Sequence, residues 1–228
     1  MKQTKQSKEA LATEEIIVKE IKLVNPGMLV MPWPVNIYKL LRQVIVEEFG
    51  DKWSGPNKKI LPGKPANSRL AGHLAGEYNL NMFEPLQTAL YDIAKGYMKY
   101  YGIKWSEKLN HHSVWVNFSE KHEFNPMHNH TGDLSWVSWI NIPYNLSDED
   151  ELKNSKTANC KMNSRFHFIY NSYTGVPLTH KLEIDRDWEG KLIIFPAGLY
   201  HAVYPFYTSE DYRISVAGNL GFEPLKKE

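Results

Sequence analysis

The chain has 228 residues and a mass of 26.5 kDa, and 42% of its residues are hydrophobic, enough for one large domain with its own core. Its 27 basic and 26 acidic residues leave a net charge of +1, so no strong field for nucleic acid or a membrane surface is expected. No apolar run approaches the roughly 20 residues of a membrane span, and the lysine-rich start carries no signal-peptide apolar region. Cys160 is the single cysteine, which rules out an intrachain disulfide and suits a reducing compartment, here read as the cytoplasm of a bacterium or of an infected host cell.

Residues 1–14 are polar and read as a mobile tail. Ile16 to Val24 alternates as a short strand would, and Asn25-Pro26-Gly27 breaks it. Ile37, Leu40, Leu41, Val44, Ile45 and Phe49 recur at helical spacing, which predicts a helix over 35–49 stopped by Gly50. Residues 51–80 are rich in proline, glycine and asparagine and read as an irregular connection. Leu86, Leu90, Ile93, Tyr97 and Tyr101 form the apolar stripe of a second helix, 81–101, ended by Gly102.

Near residue 111 the period changes from helical to two. Strands are predicted over 113–118, 127–130, 134–142, 166–170, 181–184, 191–195, 201–207 and 212–220, with a polar, acidic loop at 148–156. The expected fold is mainly β with flanking helices: a double-stranded β-helix, the jelly-roll form with eight core strands. The expected organisation is a tail (1–14), a helical and irregular support region (15–110), the β-helix core (111–222) and a short tail (223–228).

Chemistry concentrates in that core. His128 and His130, two apart on one strand, would share a face, and His201 on a returning strand could complete a metal-binding face with positions left open. Histidines are frequent here, nine in all, so a lone His-x-His would by itself mean little. Its setting is more specific: Pro126 and Gly132-Asp133 bracket the segment, and His201 follows an apolar strand and a Pro-Ala-Gly turn. Arg213 sits among Ile214, Val216 and Ala217, a pattern of burial, and a buried guanidinium needs a partner. That partner is either Asp211 or Asp187 of the chain itself, or the carboxylate of a ligand, which the guanidinium fork and the Ser215 hydroxyl could hold together. Asn117 and Trp139 are further candidates for the cofactor pocket, as a polar contact and a wall.

The segments Trp115-Val116-Asn117-Phe118, His128-Asn129-His130-Thr131-Gly132, Leu192-Ile193-Ile194-Phe195-Pro196, His201 and Arg213-Ile214-Ser215-Val216-Ala217-Gly218-Asn219 together resemble the 2-oxoglutarate/Fe(II)-dependent oxygenases, in a phage-type branch. The resemblance implies a double-stranded β-helix, Fe(II) held by His128 and His201, and a 2-oxoglutarate anchor at Arg213 and Ser215. It implies oxidation of a substrate, most simply hydroxylation, with conversion of 2-oxoglutarate to succinate and carbon dioxide. Where the family commonly has His-x-Asp, this chain has His130. The third ligand is therefore His130 or, from the next turn, Asp133. Two other readings stay open: a three-histidine zinc enzyme on the same scaffold, and a non-enzymatic virion-associated or interaction protein. The substrate, a small molecule or a protein side chain, is not specified by these residues.

Overall fold

In a computed structural model, residues 26–55, 58–59, 72–74, 76–106, 108–172 and 174–225 are described. The strand expected over 16–24, the tail 1–14 and most of the 51–80 connection lie outside these residues. Two helices and ten strands carry the architecture: β1 (Leu29–Pro32), α1 (Val35–Phe49), β2 (Gly76–Asn79), α2 (Glu84–Tyr101), β3 (Leu109–Ser119), β4 (Asn125–His128), β5 (Leu134–Asn141), β6 (Phe166–Asn171), β7 (Pro177–Leu182), β8 (Lys191–Pro196), β9 (Tyr200–Val203) and β10 (Arg213–Phe222). Helix α1 has the predicted bounds. Helix α2 starts three residues later than predicted, because the Leu80 N–H still donates to the Val114 carbonyl of β3 and Phe83 is extended. Pro85 then fits the first turn, where its missing N–H costs nothing. Gly102 closes the helix in the left-handed region (φ 65°), and the Ile103 N–H returns to the Met98 carbonyl.

The strands form two antiparallel sheets, in the orders β1-β8-β5-β10-β3-β2 and β4-β9-β6-β7. The eight strands β3 to β10 divide evenly between β8-β5-β10-β3 and β4-β9-β6-β7, which is the predicted double-stranded β-helix. β1 and β2 extend the larger sheet at its two edges. β2 lies in the stretch expected to be irregular connection, and β1 in a stretch with no predicted element: four residues give too short an alternation to register. The acidic segment predicted as loop contains two short helices, α3 (Leu146–Asp150) and α4 (Lys153–Lys156).

The larger sheet is buried on both faces. Outward, Val114, Val116, Phe118, Trp136, Ile140, Ile194, Ile214 and Val216 pack under Leu41, Ile45 and Phe49 of α1 and Leu86, Leu90 and Ala94 of α2. Inward, Val137, Trp139, Ile193, Phe195 and Ala217 meet Phe166, Phe168 and Leu182 of the smaller sheet. This explains why nearly all of β5 is buried. No helix is long and apolar enough to cross a membrane among the described residues.

Two positions of the larger sheet can be tested by stability. A Cβ on Gly218 would stand 2.4 Å from the Ser113 carbonyl oxygen and 2.7 Å from Trp136 Nε1. Gly218→Ala is therefore expected to cost about 1–3 kcal/mol, read as a lower urea midpoint at constant slope; a variant as stable as the parent would mean that β3 and β10 lie further apart. On edge strand β2, Glu77 points inward, and burial pushes its carboxyl from 4.5 up to about 7. Across that window the folded chain binds the proton more tightly than the unfolded chain, so this group's contribution falls as pH rises from about 4.5 to about 7. Glu77→Gln lacks that penalty. Its urea midpoint should gain on the parent's between about pH 5 and pH 8, and an unchanged gap would show a well-hydrated carboxylate.

Candidate metal and cosubstrate site

Between the sheets lies a cavity of about 730 Å³. His128, His130, His201, Asn117, Arg213, Ser215 and Trp139 all line it, so every residue singled out from the sequence except Asp133 reaches one space. β4 and β9 are neighbours, and His128 stands directly opposite His201 in the register, next to an irregularity between Asn125 and His128. The expectation that His128 and His130 share a strand face needs correction. β4 ends at His128, and His130 lies in the turn that follows. It reaches the same point because its N–H donates to the Ala197 carbonyl at 2.9 Å.

That turn is pinned from several sides. Gly132 has φ 101°, and a Cβ there would lie 2.9 Å from the Leu220 carbonyl oxygen. The Asp133 N–H donates to the same carbonyl, and the Asp133 carboxylate accepts from the Phe222 N–H at 2.7 Å. Asp133, the alternative third ligand, thus spends its carboxylate on the end of β10, and the cluster of potential ligand atoms consists of His128, His130 and His201.

The ligand nitrogens of these three lie within 4.8 Å of one another, with ring centroids 4.3 to 5.0 Å apart. His128 Nδ1 lies 2.7 Å from the Pro126 carbonyl oxygen, and His201 Nδ1 lies 3.0 Å from that of Leu199. A carbonyl oxygen only accepts, so Nδ1 carries the proton in both rings and Nε2 keeps its lone pair. Burial lowers the pKa of all three, to about 4 for His130 and about 3 for His201, and for these two repulsion from the neighbouring rings adds to it. Three neutral imidazoles, two with the tautomer fixed by the backbone, fit a divalent transition metal.

Arg213 is buried and lines the same cavity. It donates to the Tyr204 carbonyl at 3.0 Å, has the Tyr144 hydroxyl as a neighbour, and lies over the Phe206 ring. No ion pair to it occurs among the described residues, from Asp187 or from Asp211, whose carboxylate instead accepts from the Gly55 N–H. The rest of its fork is available to an anion. Ser215 is two residues along β10, and Asn117 stands opposite Ser215 on β3. Asn117 Oδ1 is buried without a hydrogen-bond partner. Trp139, opposite Ser215 on β5, closes the other side.

Sequence reasoning missed Glu77 and Asn79, which line the cavity from β2, and Tyr144, which braces Arg213. Glu77 and Asn79 carry a signal, an alternation with buried Tyr78, but it spans only four residues.

Residues 113–219 match the family model described as "Putative 2OG-Fe(II) oxygenase". The match does not assign a phage-type branch. A comparison with curated proteins returns no match. Among solved structures, the chain is similar to a prolyl-4-hydroxylase from Pseudomonas putida, with 14% identity, a TM-score of 0.52, and coverage of 87% of this chain and 94% of that one. EvdO2 from Micromonospora carbonacea var. aurantiaca is similar at 11% identity and a TM-score of 0.51, covering 86% of this chain and 87% of its own. At such identities these two likenesses establish the fold, and the family match over residues 113–219, which spans every site residue from β3 to β10, supports a 2-oxoglutarate- and Fe(II)-dependent oxygenase.

Proposed function

We propose that His128, His130 and His201 hold Fe(II), that Arg213 and Ser215 hold the distal carboxylate of 2-oxoglutarate, and that the enzyme hydroxylates its substrate. The observation that carries this reading is the position of an unpaired, buried guanidinium in the same cavity as three converging neutral imidazoles. When bound, the iron and cosubstrate supply the oxidation: one atom of O2 enters the substrate, and the other enters the succinate formed as carbon dioxide leaves.

The chain's part is placement and charge. The backbone carbonyls of Pro126 and Leu199 aim the Nε2 lone pairs of His128 and His201 into the cavity. The Arg213 fork matches a carboxylate in a dry pocket, where a charge-assisted pair is strongest, and the Ser215 hydroxyl adds a donor. The amide of Asn117, one strand away, can donate to the same carboxylate, and Trp139 limits water. The donor set, with no carboxylate, also favours a zinc site as a second reading. Zinc hydrolysis gives no role to Arg213, which is why the oxygenase reading is preferred. A cytoplasmic location is supported by the lone exposed thiol of Cys160, and the substrate is a small molecule or a protein side chain.

His128→Ala should lose stoichiometric Fe(II) in anaerobic titration while keeping its circular dichroism, since His128 lines the cavity and lies outside both apolar cores. Retained one-to-one binding would move the metal elsewhere. Arg213→Ala should lose about 2–5 kcal/mol of 2-oxoglutarate binding, roughly 30-fold or more in Kd, with Arg213→Lys recovering part. Calorimetry with a redox-inert metal measures this. Equal affinity in Arg213→Ala, or no binding to the parent at millimolar ligand, would favour the zinc or non-enzymatic readings.

A further inference from the structure

Residues opposite one another on adjacent strands point to the same side of a sheet. On the inner face of the larger sheet this gives a row running Glu77, Asn117, Ser215, Trp139 across β2, β3, β10 and β5. A second row runs Asn79, Trp115, Ala217, Val137. Arg213 lies one step along β10 from the first row. With roughly 4.8 Å between strands and 6.8 Å per two residues, the Cα atoms of Glu77 and Arg213 are about 12 Å apart, and no ion pair joins the two side chains among the described residues.

Among the described residues lining the cavity, Glu77 is the only acid and Arg213 the only arginine or lysine. Arg213 is buried on β10, inside the sheet, and Glu77 is on β2, at its edge. Glu77 has no hydrogen bond or ion pair among the described residues. Beside it, Asn117 Oδ1 is buried and unpartnered although Asn117 is only 7% exposed. Two adjacent acceptors in a partly dry pocket thus lack a donor, and their complement is a group with several N–H bonds and a positive charge.

We propose that Glu77 is a specificity-determining residue of this cavity, selecting a substrate that carries a cationic nitrogen group, an ammonium or guanidinium, bound between the Glu77 carboxylate and Asn117 Oδ1. The inference rests on the oxygenase reading of the site, since it takes the Arg213 end for the cosubstrate and leaves the β2 end for the substrate. A hydroxyl would offer one donor to these two acceptors; an ammonium offers three and a guanidinium five. Asn117 then serves both ligands, its Nδ2 donating toward the carboxylate at Ser215 and its Oδ1 accepting from the cation. The competing account is that Glu77 only protects an edge strand from pairing with another chain, as an inward charge can do. That role needs a charge but no ligand.

The test is titration of the zinc- and 2-oxoglutarate-loaded protein with n-butylammonium, and separately with 1-butanol, at about pH 8, where the Glu77 carboxyl is ionised and the amine protonated. Wild type should bind butylammonium about tenfold or more tightly than butanol. Glu77→Gln should abolish that preference and leave butanol affinity unchanged, while Glu77→Asp, which keeps the charge, should retain part of it. Circular dichroism confirms that each variant is folded. Equal affinity of wild type for the two probes, no binding of butylammonium, or an undiminished preference in Glu77→Gln would overturn the proposal and leave Glu77 as an edge-protecting charge. If wild type fails to bind 2-oxoglutarate in the same experiment, it is the oxygenase reading that falls; if it binds 2-oxoglutarate and shows no charge preference, only the present inference does.

Discussion

Everything in this molecule depends on the register of β10. Ile214, Val216 and Leu220 face the helices and are fully or almost fully buried there, while Arg213, Ser215, Ala217 and Asn219 face the cavity. The strand is held on one side by β3, from Arg213 opposite Ser119 to Leu220 opposite His112, and on the other by β5. A slip of one residue would send the guanidinium into the apolar layer under α1 and α2 and turn Ile214 into the cavity. The helical layer therefore defines the site without touching it: by burying one face of β10 it commits the other to chemistry. Ser135 reinforces the choice on the inner side, its hydroxyl donating to Asn219 Oδ1 at 2.7 Å.

The metal site depends on the same strand through Asp133. Its carboxylate accepts from Phe222 at the end of β10, its carbonyl accepts from Ala197, and its N–H donates to Leu220. These bonds tie the turn after β4 to the turn before β9, and so fix His130 relative to His201. An aspartate in this place acts by position, and the ligand set is left without a negative charge. No protein carboxylate then offsets the charge of a divalent ion, and an anionic cosubstrate would do so instead. If the three imidazoles are the ligands, as proposed, binding of metal and of 2-oxoglutarate would be coupled, each favouring the other.

Long-period features of the sequence were legible, and short or relayed ones were not. Helix α1 was readable end to end because its apolar residues repeat over four turns and Gly50 stops it. The start of α2 was not, because it is set by a bond from Leu80 to a strand thirty-four residues away in sequence. β1 and β2 are four residues each, and their place at the sheet edges comes from partners β8 and β3. His128, His130 and His201 could be selected from nine histidines by residue type and surrounding turns, yet the strand-face argument for the first two was right in outcome and wrong in route. Arg213 was legible from its apolar neighbours. Glu77 was not, since nothing near it in sequence shows that β3 will bring Asn117 alongside.

The separation of charge inside the cavity has a consequence for how two ligands share it. A dianion in the cavity meets repulsion from an ionised Glu77 and attraction from Arg213 and the metal position, so it is favoured at the Arg213 end and disfavoured at the Glu77 end. A cation experiences the reverse. In a pocket of reduced dielectric such opposition separates ligands by sign more sharply than by shape, and a wrongly placed like charge is costly. The burial that raises the Glu77 pKa limits the effect in the free protein, because part of the population is neutral near pH 7. A cation bound beside it restores the ionised form, so the Glu77 end gains most of its negative charge only when it has something to hold.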